Sequence, residues 1–105
     1  MISVCVLYPR TERSRFDVDY YVNKHIPMVI KCLGSALKGV TAEAGVGGTE
    51  PGSPPAYAAV CRLLFESVDS FLAAFGPNAA KVQGDMPNYT DVAPVIQINE
   101  VKISK

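Results

Sequence analysis

Tryptophan is absent from this chain of 105 residues, and histidine occurs once, as His25. Cysteine is scarce too: Cys5, Cys32 and Cys61 are odd in number and widely spaced, with no CxxC pair. One imidazole and three scattered thiols lack the ligand spacing of a protein-held transition metal, so no metal and no cofactor is expected. The thiols read as reduced, mostly buried groups of a cytoplasmic protein. Neither a GxGxxG opening a helix nor a GxxxxGKS is present, and the GVGG of Gly45 to Gly48 ends a strand without preceding a helix, which removes a nucleotide cradle. Charge of one sign is not in excess, with ten basic and ten acidic side chains and no basic stretch interleaved with aromatics, so no nucleic acid is expected as a partner. No apolar run approaches the roughly 20 residues of a membrane span, and Met1 to Tyr8 is too short and lacks the basic lead of a secretory signal. Ser35, Ser67 and Ser70 have no recognisable base and orienter, which disfavours a serine hydrolase.

The apolar patterning that is present fills one domain over residues 1–105. Ile2 to Tyr8 alternates as a strand with neither face polar, and Pro9 to Arg15 follows as a solvated turn. Asp17 has the position of an N-cap, with Phe16 before it and Tyr21 four residues into the helix, the spacing of a hydrophobic staple. Pro27 removes a backbone donor and crowds the preceding turn, so a kink or restart is expected near His25, and a second helical piece through Val29 and Leu33 should end at Gly34. Lys38 to Val46 and Tyr57 to Phe65 read as two strands of an antiparallel hairpin around the Gly/Pro loop Gly47 to Pro55. Ser67 caps a second helix with an inward stripe of Val68, Phe71, Leu72 and Phe75, interrupted at Gly76-Pro77 and resuming over Asn78 to Gln83. A turn-prone connection, Asp85 to Thr90, leads to a last strand over Val95 to Ile103.

This order predicts an α+β, ferredoxin-like β-α-β-β-α-β domain: a four-stranded antiparallel sheet with two helices on one face. Strands one and three are apolar on both faces, and an uncovered apolar face costs about 25 cal/mol per Å² of area left in water. A second copy of the chain is the simplest cover, which predicts a homodimer.

His25 is the one side chain whose ordinary titration range spans neutral pH, and so is the first candidate for an acid or base. The alternative is a partly exposed helix-end histidine that satisfies a carbonyl freed at the Pro27 kink. Tyr20 and Tyr21 each carry a phenolic donor, but neighbours on a helix point about 100° apart, so one of them at most should meet a pocket. Asp85, Asn88 and Tyr89 cluster in one connection, where Asn88 and Tyr89 can bind a ligand or Asn88 and Pro87 can simply make the turn. Gln97 and Asn99 put two amides on an otherwise apolar strand face, bonding either a ligand or a second subunit. Arg62 can pair with Glu100 across the sheet or meet an anionic ligand, and the internal pair is the more economical.

The stretches FDVDYYVNKHIPMV (Phe16 to Val29), LGSALKGV (Leu33 to Val40), AAFGPNAA (Ala73 to Ala80), DMPNYT (Asp85 to Thr90) and VIQINEV (Val95 to Val101) resemble the ethyl tert-butyl ether degradation (EthD) family of the dimeric α/β-barrel superfamily. The resemblance implies two sheets meeting as a dimeric α/β barrel around internal pockets, and a setting in the oxidative catabolism of an apolar organic compound. It does not choose among the superfamily's cofactor-free monooxygenases, isomerases, dehydratases and haem-binding enzymes. Two functions are therefore expected as alternatives. One is a cofactor-free acid/base enzyme (an oxidoreductase, lyase or isomerase) with His25 and Tyr20 catalytic and Tyr21, Asn88, Tyr89 and Gln97 binding a small apolar substrate. The other is an accessory protein holding that substrate for a separate monooxygenase system.

Overall fold

The computed structural model describes residues 1–105. Alternation along Ile2–Pro9 makes strand β1, whose Val4 and Tyr8 are buried on one face. A helical stretch follows in pieces: α1 (Val18–Tyr20), a π-helical turn (Tyr21–His25) and α2 (Ile26–Leu33). Gly34, with φ +59°, ends α2 where a side chain would be strained. The hairpin β2 (Gly39–Ala44) and β3 (Tyr57–Phe65) comes next. The second helical stretch is again divided, into α3 (Val68–Phe75) and α4 (Ala79–Gly84), with a 3₁₀ turn at Gly76–Asn78 where Pro77 lacks an N–H. A last 3₁₀ turn (Met86–Asn88) precedes β4 (Val95–Glu100).

The sheet is antiparallel throughout, in the order β2-β3-β1-β4. Both helical stretches lie on one face, and the molecule's least extent, 19 Å, is that of one sheet layer plus one helix layer. Register puts Val4, Val6 and Tyr8 of β1 beside Leu63, Cys61 and Ala59 of β3, and these meet Tyr21, Val29, Leu33 and Phe71 from the helices. The opposite face carries Ser3, Cys5 and Leu7 with Val60, Arg62 and Leu64, flanked by Thr41 on β2 and by Val95, Gln97 and Asn99 on β4.

The expected dimeric α/β barrel is overturned: the sheet is open. The four strands do not close on themselves, and β2 and β4 stand at opposite edges without meeting. The inward stripe of the second helix is narrower than its spacing suggests. Phe71 is buried and Phe75 half-buried, but Val68 is 40% and Leu72 55% exposed, because α3 touches the core along one line only. The last strand ends at Glu100, short of Ile103. Arg62 faces Glu43 at 3.5 Å on the neighbouring strand instead of Glu100, which points to the other face and takes Lys102. Cys5 and Cys61 also point to opposite faces, with Val6 directly across from Cys61, so no disulfide can join them.

Phe71→Ala should lower the free energy of unfolding by about 3 to 5 kcal/mol, and Leu72→Ala by less than about 0.5 kcal/mol. Denaturant titration of the two variants checks the orientation of α3, which equal losses would contradict.

Candidate functional site

The site begins with a local device at the start of the first helical stretch. Asp17 is extended, and its carboxylate accepts the Tyr20 backbone N–H at 3.0 Å, while Phe16 packs edge-on against Tyr21 with ring centroids 5.0 Å apart. Both cap and staple stand as the spacing predicts. Further along, Pro27 offers no N–H, and the backbone takes up the difference one residue earlier: the Ile26 N–H reaches back to the Tyr21 carbonyl, closing a π turn. The wider turn shifts the helix phase by one residue, so that Tyr21, His25, Ile26, Val29 and Leu33 all face the sheet.

His25 is 4% exposed and bonded at both ring nitrogens. Nδ1 lies 2.9 Å from Oδ2 of Asp85, and Nε2 lies 3.3 Å from the Tyr89 hydroxyl. The Tyr89 hydroxyl is in turn 2.7 Å from that of Tyr8. Behind the pair, Oδ1 of Asp85 accepts from the Tyr20 hydroxyl at 2.7 Å and from the Asn88 amide at 2.9 Å. Asp85 is thus held by three donors. Burial on its own would raise its carboxyl, but hydrogen bonds from Tyr20, Asn88 and His25 outweigh it and keep the group below the usual carboxylate range. Burial pushes the His25 imidazole below its ordinary value, against the opposing bond and charge of Asp85. A neutral ring beside an ionised carboxylate places its proton on Nδ1 and leaves the Nε2 lone pair toward Tyr89. Burial raises Tyr8, Tyr21 and Tyr89, keeping their hydroxyls protonated, and lifts the Cys61 thiol to about 11.

These groups border a cavity of about 140 Å³ between the sheet and the helices. His25, Tyr8, Tyr21 and Tyr89 line it, the rest of the wall is almost entirely hydrocarbon from residues such as Val29, Leu63, Phe71 and Val82, and Gln83 adds one amide. No three His, Cys, Asp or Glu side chains come together in a way that could hold a metal ion.

Of the residues singled out from the sequence, His25, Tyr21 and Tyr89 meet at the cavity wall. Tyr20 and Asn88 do not reach it; they hold Asp85 from behind. Gln97 lies elsewhere, on the helix-free face, where its amide donates to Asn99 at 2.6 Å and Asn99 contacts the Cys5 sulfur at 3.2 Å. The freed-carbonyl alternative for His25 does not occur, since the imidazole is taken by Asp85 and Tyr89. Asp85 and Tyr8 are the residues that sequence reasoning left out of the site. Asp85 is 60 positions from His25 and no local spacing links them; Tyr8 closes an alternating strand and reads as core.

A ferredoxin-like domain with a buried histidine, bonded to an aspartate, at the wall of an apolar cavity defines the class of protein, and comparison defines the family. The EthD domain matches residues 9–93. The crystal structure of an EthD-like protein from Ralstonia eutropha JMP134 is 46% identical, covers 99% of this chain and 94% of its own, and superposes with a TM-score of 0.95. An ethyl tert-butyl ether (EthD) family protein from Bacillus halodurans C-125, 19% identical over 96% of this chain and 98% of its own, shares the fold with a TM-score of 0.64. No curated protein matches. This chain belongs to the EthD family.

Acidification should weaken the fold in two steps. The unfolded chain binds a proton at His25 near pH 6.5 while the folded chain, with its depressed value, does not, so stability falls as pH drops from about 6.5 toward the folded value. Asp85, also depressed, adds a second loss below about pH 4. With one histidine in the chain, urea midpoints at pH 7.5 and 5.5 isolate the first step. It should vanish in His25→Asn, and a parent equally stable at both values would contradict a neutral buried imidazole.

Proposed function

We propose that this EthD-family protein binds a small, mostly apolar organic molecule in the cavity between sheet and helices and acts on it as a general acid/base catalyst. His25 moves the proton, Asp85 fixes its tautomer, Tyr8 and Tyr21 present hydroxyls to the bound molecule, and Tyr89 links Tyr8 to the imidazole. Tyr20 and Asn88 are positioning residues, acting through Asp85. The observation that carries this reading is the Asp85–His25 bond at 2.9 Å, which turns Nε2 to the Tyr89 hydroxyl at the wall of an apolar cavity. A protein that only held its ligand would have no use for a neutral imidazole anchored by a carboxylate that three donors keep ionised. The cavity size supports a compact ligand, since an apolar cavity of about 150 Å³ accepts benzene. The names of the relatives favour a place in the breakdown of an apolar compound such as an ether. Three unpaired cysteines suit the reducing cytoplasm, and no helix is long and apolar enough to cross a membrane.

Toluene is a suitable first probe. It should raise the melting temperature of the protein, and Val82→Phe, which fills the cavity from α4, should abolish the rise while leaving the fold. No rise in the parent at millimolar toluene would sink the cavity as a ligand site. For turnover of a substrate found by this route, His25→Asn should cost roughly tenfold to a thousandfold.

The working unit of this reading is a homodimer joined through the helix-free face. Only 15 of 105 residues are buried in the single chain, too few for a stable one-sided sheet, and Leu7, Val60, Leu64 and Val95 share the uncovered face. Sedimentation at micromolar protein should give twice the chain mass, and Leu64→Lys should halve it. A parent that sediments as a monomer removes this part.

A further inference from the structure

The hydrogen-bonded chain from Asp85 to Tyr8 has a direction, and that direction selects a ligand. Asp85 has no hydrogen to give, so Nδ1 of His25 donates to it at 2.9 Å and Nε2 is left an acceptor. Tyr89, 3.3 Å from Nε2, then donates to it. A phenol has a single hydrogen, so across the 2.7 Å contact it is Tyr8 that donates to Tyr89. Tyr8 has now committed its only hydrogen, and what it turns to the cavity is a lone pair. Beside it lies the Tyr21 hydroxyl, within hydrogen-bond reach of both Tyr8 and Cys61, with one hydrogen to give to either of them or to a ligand. Apart from the Gln83 amide, the remaining wall is hydrocarbon and the Cys61 thiol.

Resting on the acid/base reading above, we propose that the cavity takes a compact single-ring molecule with one acidic O–H, a phenol, whose hydroxyl donates to Tyr8 and accepts from Tyr21. An ether or ketone of the same size accepts but cannot donate, so the single Tyr21 hydrogen must serve either the Tyr8 lone pair or the ligand oxygen and one of the two goes without. The same chain is a path for the proton. The O–H bond of the ligand breaks as Tyr8 takes its hydrogen, the former Tyr8 hydrogen passes to Tyr89, and the former Tyr89 hydrogen passes to Nε2 of His25. One proton has moved from ligand to imidazole and no electron has changed hands. Every hydroxyl in the chain has reversed, so Tyr8 and Tyr21 both donate to the phenolate oxygen, and the imidazolium faces the Asp85 carboxylate. The base acts through two intervening tyrosines, which explains how a buried histidine can serve an atom it need not touch.

Phenol, anisole and toluene, nearly equal in shape, separate this proposal from the cavity reading beneath it. In a purely apolar cavity hydration ranks phenol last, since its hydroxyl must be stripped of water. Isothermal titration of the full chain should instead rank phenol first, about threefold to tenfold tighter than anisole or toluene. Tyr8→Phe should bring phenol below toluene while toluene changes by less than about twofold, and the ranking in the parent decides the matter if that variant does not fold. Anisole or toluene binding as tightly as phenol in the parent overturns the hydroxyl requirement and leaves the cavity a ligand site. Absence of binding by all three overturns the cavity reading and this proposal with it.

Discussion

The bond between Asp85 and His25 ties together the two halves of the helical layer. His25 belongs to the stretch that follows β1, Asp85 to the connection after α4, and the 2.9 Å contact brings both over the same end of β1. Other links close around it. The Asp17 N–H donates to the Tyr89 carbonyl at 2.7 Å, the Thr90 hydroxyl to the Arg15 carbonyl at 2.8 Å, and Phe16 and Thr90 form an isolated bridge. A helix that begins at residue 18 and a loop that ends at residue 90 are thereby one rigid corner. A carboxylate so placed would be costly if left alone, and it is satisfied by Tyr20, Asn88 and His25 in a way that also settles which nitrogen of the ring carries the proton.

Around that corner the packing is aromatic. Tyr8, Phe16, Tyr21 and Tyr89 meet at centroid distances between 5.0 and 5.8 Å, mostly edge to face, and the His25 ring lies 4.5 Å from that of Tyr89. Such rings fill space at little conformational cost and place hydroxyls at their far ends. The result is a dry wall with a few oxygen atoms at fixed points. Burial narrows the choice of partners: in water a tyrosine hydroxyl has many, and here it has one or two.

Much of this was legible wherever the cause is local. Asp17, Phe16 and Tyr21 lie within one helical turn, and the cap and staple follow from their spacing. Pro27 announces its own missing hydrogen bond, though the sequence does not say that the backbone answers with a π turn instead of a bend. Ser67 caps α3 for the same short-range reason, its hydroxyl accepting the Ser70 N–H at 3.1 Å. The stripe on α3 was read too wide because periodicity gives the apolar residues and not the angle at which the helix meets the sheet. Asp85 stood out with Asn88 and Tyr89 but not its partner: a turn-prone segment gives no hint of which side chain it will lay against a histidine far away in the chain. Gln97 is the converse case. Its strand was identified, but which of two faces the helices cover is a property of the whole fold, and the amide came to lie on the side away from the cavity. The open sheet belongs with these, since whether two edges meet is not written in any one strand.

The π turn has a hereditary side. It differs from the α-helical turn it replaces by one residue, which in a gene is one codon. Loss of a codon between Val22 and Lys24 would let an ordinary helix run from Val18 to Leu33 with Tyr21 still in phase with Ile26, Val29 and Leu33, yet His25 would then follow Tyr21 by three residues instead of four and turn about 60° to one side of that stripe. The outline of the helix and the setting of His25 beside Tyr21 are therefore separable by the smallest in-frame deletion that replication produces. A lineage can keep the shape and lose that setting, or acquire it on a shape already in hand, without passing through an unfolded ancestor.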